Sequence, residues 1–173
     1  MAFAFGGIPM PAFALGCGLR RAATNHQEDL DTFIAAMGFN WLIAGTDAHA
    51  KNLSFPLTGG RVRRAPLYDM ASILPYDKFD LQKIKLSMKT GDEHKLRQIG
   101  LRQWQKFARE MRIETDELIE SLVTMAKQLP DKVGGARTVA REEGLKQAII
   151  DRLATQLAIR AGECQRMLQS ASV

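Results

Sequence analysis

Asp47, His49, Lys51 and Asn52 stand together in Thr46–Ser54, TDAHAKNLS, and a second carboxylate follows at Asp69 in PLYDM. The Asp precedes the Asn by five residues, and Asp69 comes 17 residues after the Asn. These residue types suit phosphoryl transfer. Its loose transition state asks for positioning and charge stabilisation, so one carboxylate, Asp47, has to aim the attacking hydroxyl. Hard oxygen donors, here the Asn52 amide and the Asp69 carboxylate, suit Mg2+, which keeps several waters and shares the phosphates of a triphosphate such as ATP. His49 can contact a phosphate or orient Asp47, and Lys51 can neutralise a γ-phosphate.

Taken singly, each residue also has an ordinary structural reading. Asp47 can bond backbone N–H groups at a helix end, Asn52 can serve a turn, and Asp69 can cap whatever follows it. His49 can be a structural hydrogen-bonding side chain, and loop lysines such as Lys51 are usually solvated. A zinc site is disfavoured, because Asn is a poor zinc ligand and no third strong ligand is near in sequence. The joint pattern carries the reading: D-x-H-x-x-N at a helix end, a hairpin, then Tyr-Asp.

The elements that must position these residues are legible on both sides of them. Asn25 can cap a helix with Glu28 three residues later. Leu30, Phe33, Ile34, Met37, Trp41 and Leu42 then recur at helical spacing, which predicts one buried face. Gly45 is placed to end this helix in a left-handed conformation, which would set Asp47 on the end of a rigid element. Leu53–Leu57 and Val62–Tyr68 read as strands around Thr58-Gly59-Gly60, a hairpin that would return Asp69 towards Asp47 and Asn52. Ile84, Leu86 and Met88 alternate with Lys83, Lys85, Ser87 and Lys89, which predicts a half-buried strand ended by Thr90-Gly91-Asp92.

The remainder reads as helix. Leu101, Trp104, Phe107, Ala108 and Met111 form one apolar stripe. Leu118, Ile119, Leu122, Val123, Ala126 and Leu129 form a second, expected to stop at Pro130. Leu145, Ala148, Ile149, Leu153, Leu157, Ala161, Cys164 and Leu168 form a third, with Gly134-Gly135 expected to mark a turn before it. The stripes are expected to converge on a core containing Trp104, Leu122 and Leu153. Arg61, Arg63 and Arg64 at the hairpin, and Lys83, Lys85 and Lys89 on the strand, fit either a solvated edge protected by charge or an acidic or phosphorylated partner.

With 173 residues, 46% hydrophobic and 25% charged, the chain can build one compact domain, and bulk disorder is excluded. A net charge of +5 tolerates a phosphate-bearing or nucleic-acid partner without requiring one. Cys17 and Cys164 form no CxxC pair and point to a reducing, cytoplasmic compartment. Met1–Leu19 carries no charged side chain, and Arg20 and Arg21 follow it. A secretory signal places its positive charge before the apolar run. Glycines and prolines also interrupt this stretch, so residues 1–23 are expected to be an irregular segment and no membrane span.

The Asp47-to-Asn52 spacing is that of the protein-kinase catalytic loop H-R-D-L-x-x-x-N. FNWLIAGTDAHAKNLSF resembles, more closely, the catalytic loop and preceding helix of HipA-like serine/threonine kinases, the toxin kinases of bacterial toxin–antitoxin pairs. APLYDMASILPY resembles that family's metal-binding segment, and KLSMKTGDEHKL a further signature downstream. The D-x-H-x-x-N spacing also resembles the loop of phosphatidylinositol kinases. The HipA-like resemblance runs from about Glu28 to the C-terminus and implies a catalytic Asp47, with Asn52 and Asp69 holding Mg2+ on ATP.

The fold it implies is mainly α with a few short strands, the C-terminal lobe of a kinase-like fold over residues 24–173. Neither a Gly-rich nucleotide loop nor a strand lysine of the small lobe is legible. Gly16-Cys17-Gly18 begins G-x-G-x-x-G, but Arg21 stands at the third glycine. The expectation is therefore a C-terminal part that needs a missing N-terminal kinase lobe, either a truncated gene product or half of a split protein. Family members act on translation proteins such as aminoacyl-tRNA synthetases and pair with HipB-like DNA-binding antitoxins, which implies such partners here. Two other readings stay open: a non-catalytic module that binds antitoxin or substrate, and a lipid or small-molecule kinase with the same loop.

Overall fold

The computed structural model describes residue 16 and residues 26–47, 57–58, 61–62, 70–145 and 148–170. In chain order these hold helix α1 (His26–Ile43), strands β1 (Leu57–Thr58) and β2 (Arg61–Val62), strands β3 (Lys85–Thr90) and β4 (Glu93–Lys95), and a single 3₁₀ turn (Leu96–Gln98). Helices α2 (Leu101–Met111), α3 (Thr115–Glu142) and α4 (Ala148–Gln169) follow. The architecture is mainly helical with two short antiparallel hairpins. Residues 1–23 lie outside the described residues apart from Gly16, as do Asn25 and most of the two predicted strands around Thr58-Gly59-Gly60. What is described of that hairpin pairs Leu57 with Val62 and Thr58 with Arg61, so Thr58 belongs to the ladder.

α1 is the central helix. All six residues of its predicted stripe are buried, and Ala36, Asn40, Ile43 and Ala44 are buried with them. A helix that is buried nearly all round must be enclosed by other elements. α2, α3, α4 and β3 supply that enclosure in one continuous core. Trp41 meets Trp104 edge to face at 5.5 Å, and Trp104 meets Phe107 in the same way at 5.4 Å. Such pairs add to the large apolar area each ring buries. Trp104 and Leu122 lie at the centre, while Leu153 packs on the margin. β3 keeps the predicted alternation: Leu86, Met88 and Thr90 are buried, and Lys85 and Lys89 are exposed.

The structure corrects three expectations about the later helices. Pro130 does not stop its helix: α3 runs through it for 28 residues, and Gly134 and Gly135 lie inside the same helix. A proline in a helix interior costs about 3 kcal/mol. The extended packing of α3 along α4 offsets that cost, with Leu129 buried before the proline and Val133 against the core after it. The stop comes at Gly144, whose φ of 89° is open to glycine but strained for other residues. There the Leu145 N–H bonds the Ala140 carbonyl at 2.9 Å and the Gly144 N–H the Arg141 carbonyl at 3.1 Å, the two bonds of a Schellman ending. The third correction concerns the start of the last stripe, where Leu145, Ala148 and Ile149 are exposed. They sit at the tip of the α3–α4 hairpin, beyond the reach of the other helices.

Candidate active site

Asp47 lies just past the end of α1, so the manner in which that helix stops decides where the carboxylate is carried. Gly45 donates its N–H to the Asn40 carbonyl at 2.8 Å, and Ala44 donates to the Trp41 carbonyl at 3.4 Å. This is again a Schellman ending, but the left-handed residue is Ala44, with φ 53°, and not Gly45 as the sequence suggested. Gly45 is needed for a different reason. A Cβ there would stand 2.4 Å from Asn40 Oδ1 and 3.4 Å from the Ala71 carbonyl oxygen. Asn40 is buried and its Nδ2 donates to the Ala36 carbonyl at 2.9 Å, so its amide has little freedom to move aside.

A helix end leaves carbonyls without intrahelical partners, and buried ones need partners from elsewhere. Here three separate segments provide them. Arg160 of α4 donates from Nη2 at 2.7 Å and from Nε at 3.2 Å to the Trp41 carbonyl. Ser72 donates its hydroxyl to the Ile43 carbonyl at 2.6 Å and accepts the Leu74 N–H at 3.2 Å. The Ile73 N–H reaches the Ala44 carbonyl at 3.5 Å. Ser87, in the middle of β3, donates its hydroxyl to the carbonyl of Thr46, the residue before Asp47. Asp47 itself is exposed in the turn. An exposed carboxylate on an immobilised backbone is suited to aiming a substrate group.

Arg160 is only 3% exposed. Burial pulls its guanidinium below the usual range, while neighbouring Cys164 and Glu163 act in the opposite direction. Its two donors satisfy a carbonyl at the negative end of the α1 dipole, where a cation is stabilising.

Of the residues expected to do chemistry, Asp47 is described and placed as above. His49, Lys51, Asn52 and Asp69 lie outside the described residues. What the structure does bring together is the described part of the three signature segments. Trp41–Asp47 from the first, Met70–Leu74 from the second and Ser87 from the third meet at the end of α1. Sequence reasoning did not single out Ser72 or Arg160, and it read Ser87 merely as a polar position of a strand. Arg160 had a signal: it falls three residues after Leu157 and four before Cys164, a charge on the apolar stripe.

Comparison with known proteins identifies the family and the fold. The family model for the HipA-like C-terminal domain matches residues 15–133, well over half of the chain. The serine/threonine-protein kinase toxin HipA of Shewanella oneidensis is 32% identical over 121 residues, which are 70% of this chain and 26% of that protein. A Sinorhizobium fredii protein provisionally named kinase Y4mE is 34% identical over 92 residues, 53% of this chain and 21% of that one. The chain thus spans about a quarter of the length of the curated relatives it matches. Among solved structures, a Shewanella oneidensis MR-1 toxin–antitoxin complex of HipA, HipB and operator DNA contains a chain of the same fold. Its TM-score is 0.77 at 22% identity, covering 93% of this chain and 37% of that one. The mainly helical fold, the convergence of the three signature segments on the Asp47 turn and the family match lead to one conclusion: the chain belongs to the HipA-like C-terminal domain family.

Proposed function

We propose that this chain forms the C-terminal lobe of an ATP- and Mg2+-dependent serine/threonine protein kinase of the HipA type. The observation that carries the reading is the anchoring of the Asp47 turn by the segment that follows Asp69 and by β3. A phosphoryl-transfer site needs its hydroxyl-orienting carboxylate and its metal-binding residues in one fixed relation, because its catalysis is positioning plus electrostatics. The Ser72 and Ile73 bonds to the end of α1 tie the backbone after Asp69 to the backbone before Asp47.

In this proposal Asp47 accepts a hydrogen bond from the serine or threonine hydroxyl, turns its oxygen towards the γ-phosphorus and takes up its proton as the new O–P bond forms and the bridging O–P bond breaks to release ADP. Asn52 and Asp69 would hold Mg2+. Among the described residues no cluster of three His, Cys, Asp or Glu side chains could hold a metal. An amide and a carboxylate oxygen fit this ion nonetheless, since it takes one or two carboxylates together with phosphate oxygens and water. When bound, Mg2+ neutralises charge developing between the β- and γ-phosphates. His49 and Lys51 stand in the same loop and would contact the phosphates or orient Asp47. A HipA-like N-terminal lobe would supply the nucleotide loop and lysine that these 173 residues do not show. A HipB-like DNA-binding antitoxin is the proposed regulator, and a translation protein such as an aminoacyl-tRNA synthetase the proposed class of substrate. Residues 24–173 are proposed as the lobe, joined by residues 15–23, where the family match begins, and residues 1–14 as a segment outside it, in a cytoplasmic protein. No helix among the described residues is long and apolar enough to cross a membrane.

The test is reconstitution. The chain mixed with, or fused to, a HipA-like N-terminal lobe should transfer ³²P from ATP to protein serine or threonine, and Asp47→Asn should lower the rate by at least about 100-fold with the fold intact. Transfer that persists undiminished in Asp47→Asn would place the chemistry elsewhere.

A further inference from the structure

β3 and β4 present a basic face directly beside the Asp47 turn. Ser87 fixes the geometry, because its hydroxyl reaches the Thr46 carbonyl. Side chains on a strand alternate between faces, so Lys85 and Lys89, two residues to either side, share the face of Ser87. Both are exposed, and the buried Leu86, Met88 and Thr90 take the opposite face. Lys95 of β4 is exposed and pairs directly across from Lys85, which places it on the same face. Three lysines thus share the strand face from which Ser87 reaches the turn that carries Asp47, Lys85 and Lys89 lying about 13 Å apart along the strand.

Among the described residues these lysines form no close ion pair, and the Glu93 carboxylate attracts Lys95 alone of the three through space. Among the described residues the nearby carboxylates are engaged elsewhere: Asp92 with Lys106 at 3.1 Å, Asp80 with Lys83 at 3.6 Å and Glu163 with Arg97 at 3.8 Å. Glu93 Oε1 accepts the backbone N–H groups of His94 and Lys95, both at 2.8 Å. No ion pair among the described residues reaches Lys85, Lys89 or Lys95. Like charges directly opposite each other weaken a two-stranded ladder. Protecting a sheet edge does not require that arrangement, since single charges along the edge suffice. An anionic occupant on this face would turn the repulsion into attraction.

We propose that the Lys85–Lys89–Lys95 face docks an acidic segment of the protein substrate, holding it so that its hydroxyl reaches Asp47. This rests on the kinase reading above. An extended peptide repeats its side chains on one side every second residue, so carboxylates at alternate positions would match the span of the lysines. The strip is short, ended at the hairpin tip by Asp92 and Glu93, whereas duplex DNA carries one charge per roughly 1.7 Å and is met by longer basic tracks. The contribution is expected chiefly in association and specificity.

Fluorescence anisotropy of the 173-residue chain with a fluorescein-labelled peptide of alternating Glu and Ser tests this without requiring catalysis. The chain should bind that peptide, ignore one of alternating Gln and Ser, and release the first as salt rises. Lys85→Gln/Lys89→Gln/Lys95→Gln should weaken binding by about tenfold. Lys85→Arg/Lys89→Arg/Lys95→Arg should keep it, and circular dichroism should be unchanged in both. The readout is binding and involves no phosphoryl transfer, so failure of the catalytic reading leaves this measurement intact. Peptide binding that is absent, or equal in the Gln variant and the parent, overturns the proposal. So does tighter, lysine-dependent binding of a single-stranded DNA oligonucleotide, which would make the face a nucleic-acid site.

Discussion

Arg160 donates twice to one carbonyl from a buried position, and that carbonyl belongs to the last turn before Asp47. The geometry uses the fork of a guanidinium, which a lysine cannot reproduce. Replacing Arg160 with Met keeps most of the volume but leaves the Trp41 carbonyl, among the described residues, with only its long bond from Ala44. Loss of a charged hydrogen bond together with an under-satisfied buried acceptor costs about 2–3 kcal/mol. Arg160→Met should therefore unfold at lower urea by that amount, and Arg160→Lys should recover little of it. A midpoint equal to that of the parent chain would show that water or another donor replaces the guanidinium.

At the scale of elements, α3 combines a helix-breaking composition with a continuous helix. Pro130, Gly134 and Gly135 lie within it, and a Cβ added at either glycine would meet nothing within 4 Å. Neither glycine has a positive φ. Their flexibility therefore serves no turn in this fold and is lost entropy on folding. Gly134→Ala and Gly135→Ala should each stabilise the chain by about 0.5–1 kcal/mol in urea or thermal unfolding. Destabilisation by both would mean that the helix ends near Pro130 in solution, as the sequence alone suggested. The Arg141 and Arg137 contacts to Asp151, at 2.5 and 3.9 Å, join α3 to α4 next to the Gly144 turn. Arg141 in particular holds the Asp151 carboxyl below the usual carboxylate range.

The whole molecule is a single helical core around α1, and Cys164 reports on its integrity. The thiol is buried, and burial pushes it up to about 11 from an ordinary value near 9, with Arg160 pulling the other way. The unfolded chain loses this proton first as pH rises, so the unfolded state binds fewer protons between those values. The thiol's contribution is complete below about pH 9 and is lost progressively as pH rises through about 11, a term on the order of 2 kcal/mol. In a Cys17→Ser background, the stability measured from pH 8 to 11 should fall more steeply with Cys164 present than in Cys164→Ala. Parallel curves would show that the thiol is accessible to water in the native state.

The sequence by itself determined the elements whose periodicity is local and strong: α1, β3, α2 and the middle of α4 follow from apolar spacing that only one secondary structure can bury. It also carried the D-x-H-x-x-N and Tyr-Asp pattern that points to phosphoryl transfer. Tertiary structure decided what depends on groups distant in sequence. A proline and two glycines remained helical because α3 is packed along α4. The left-handed residue fell at Ala44 because the six-residue hydrogen bond from Gly45 to Asn40 fixes the ending, and Gly45 was spent on clearance for the Asn40 amide. The Asp47 turn is held by Arg160, Ser72 and Ser87, whose bonds span 119, 29 and 41 residues of chain. No local window contains both ends of such bonds. Buried helix-end carbonyls must find donors, and which donors reach them is settled only when the helices pack.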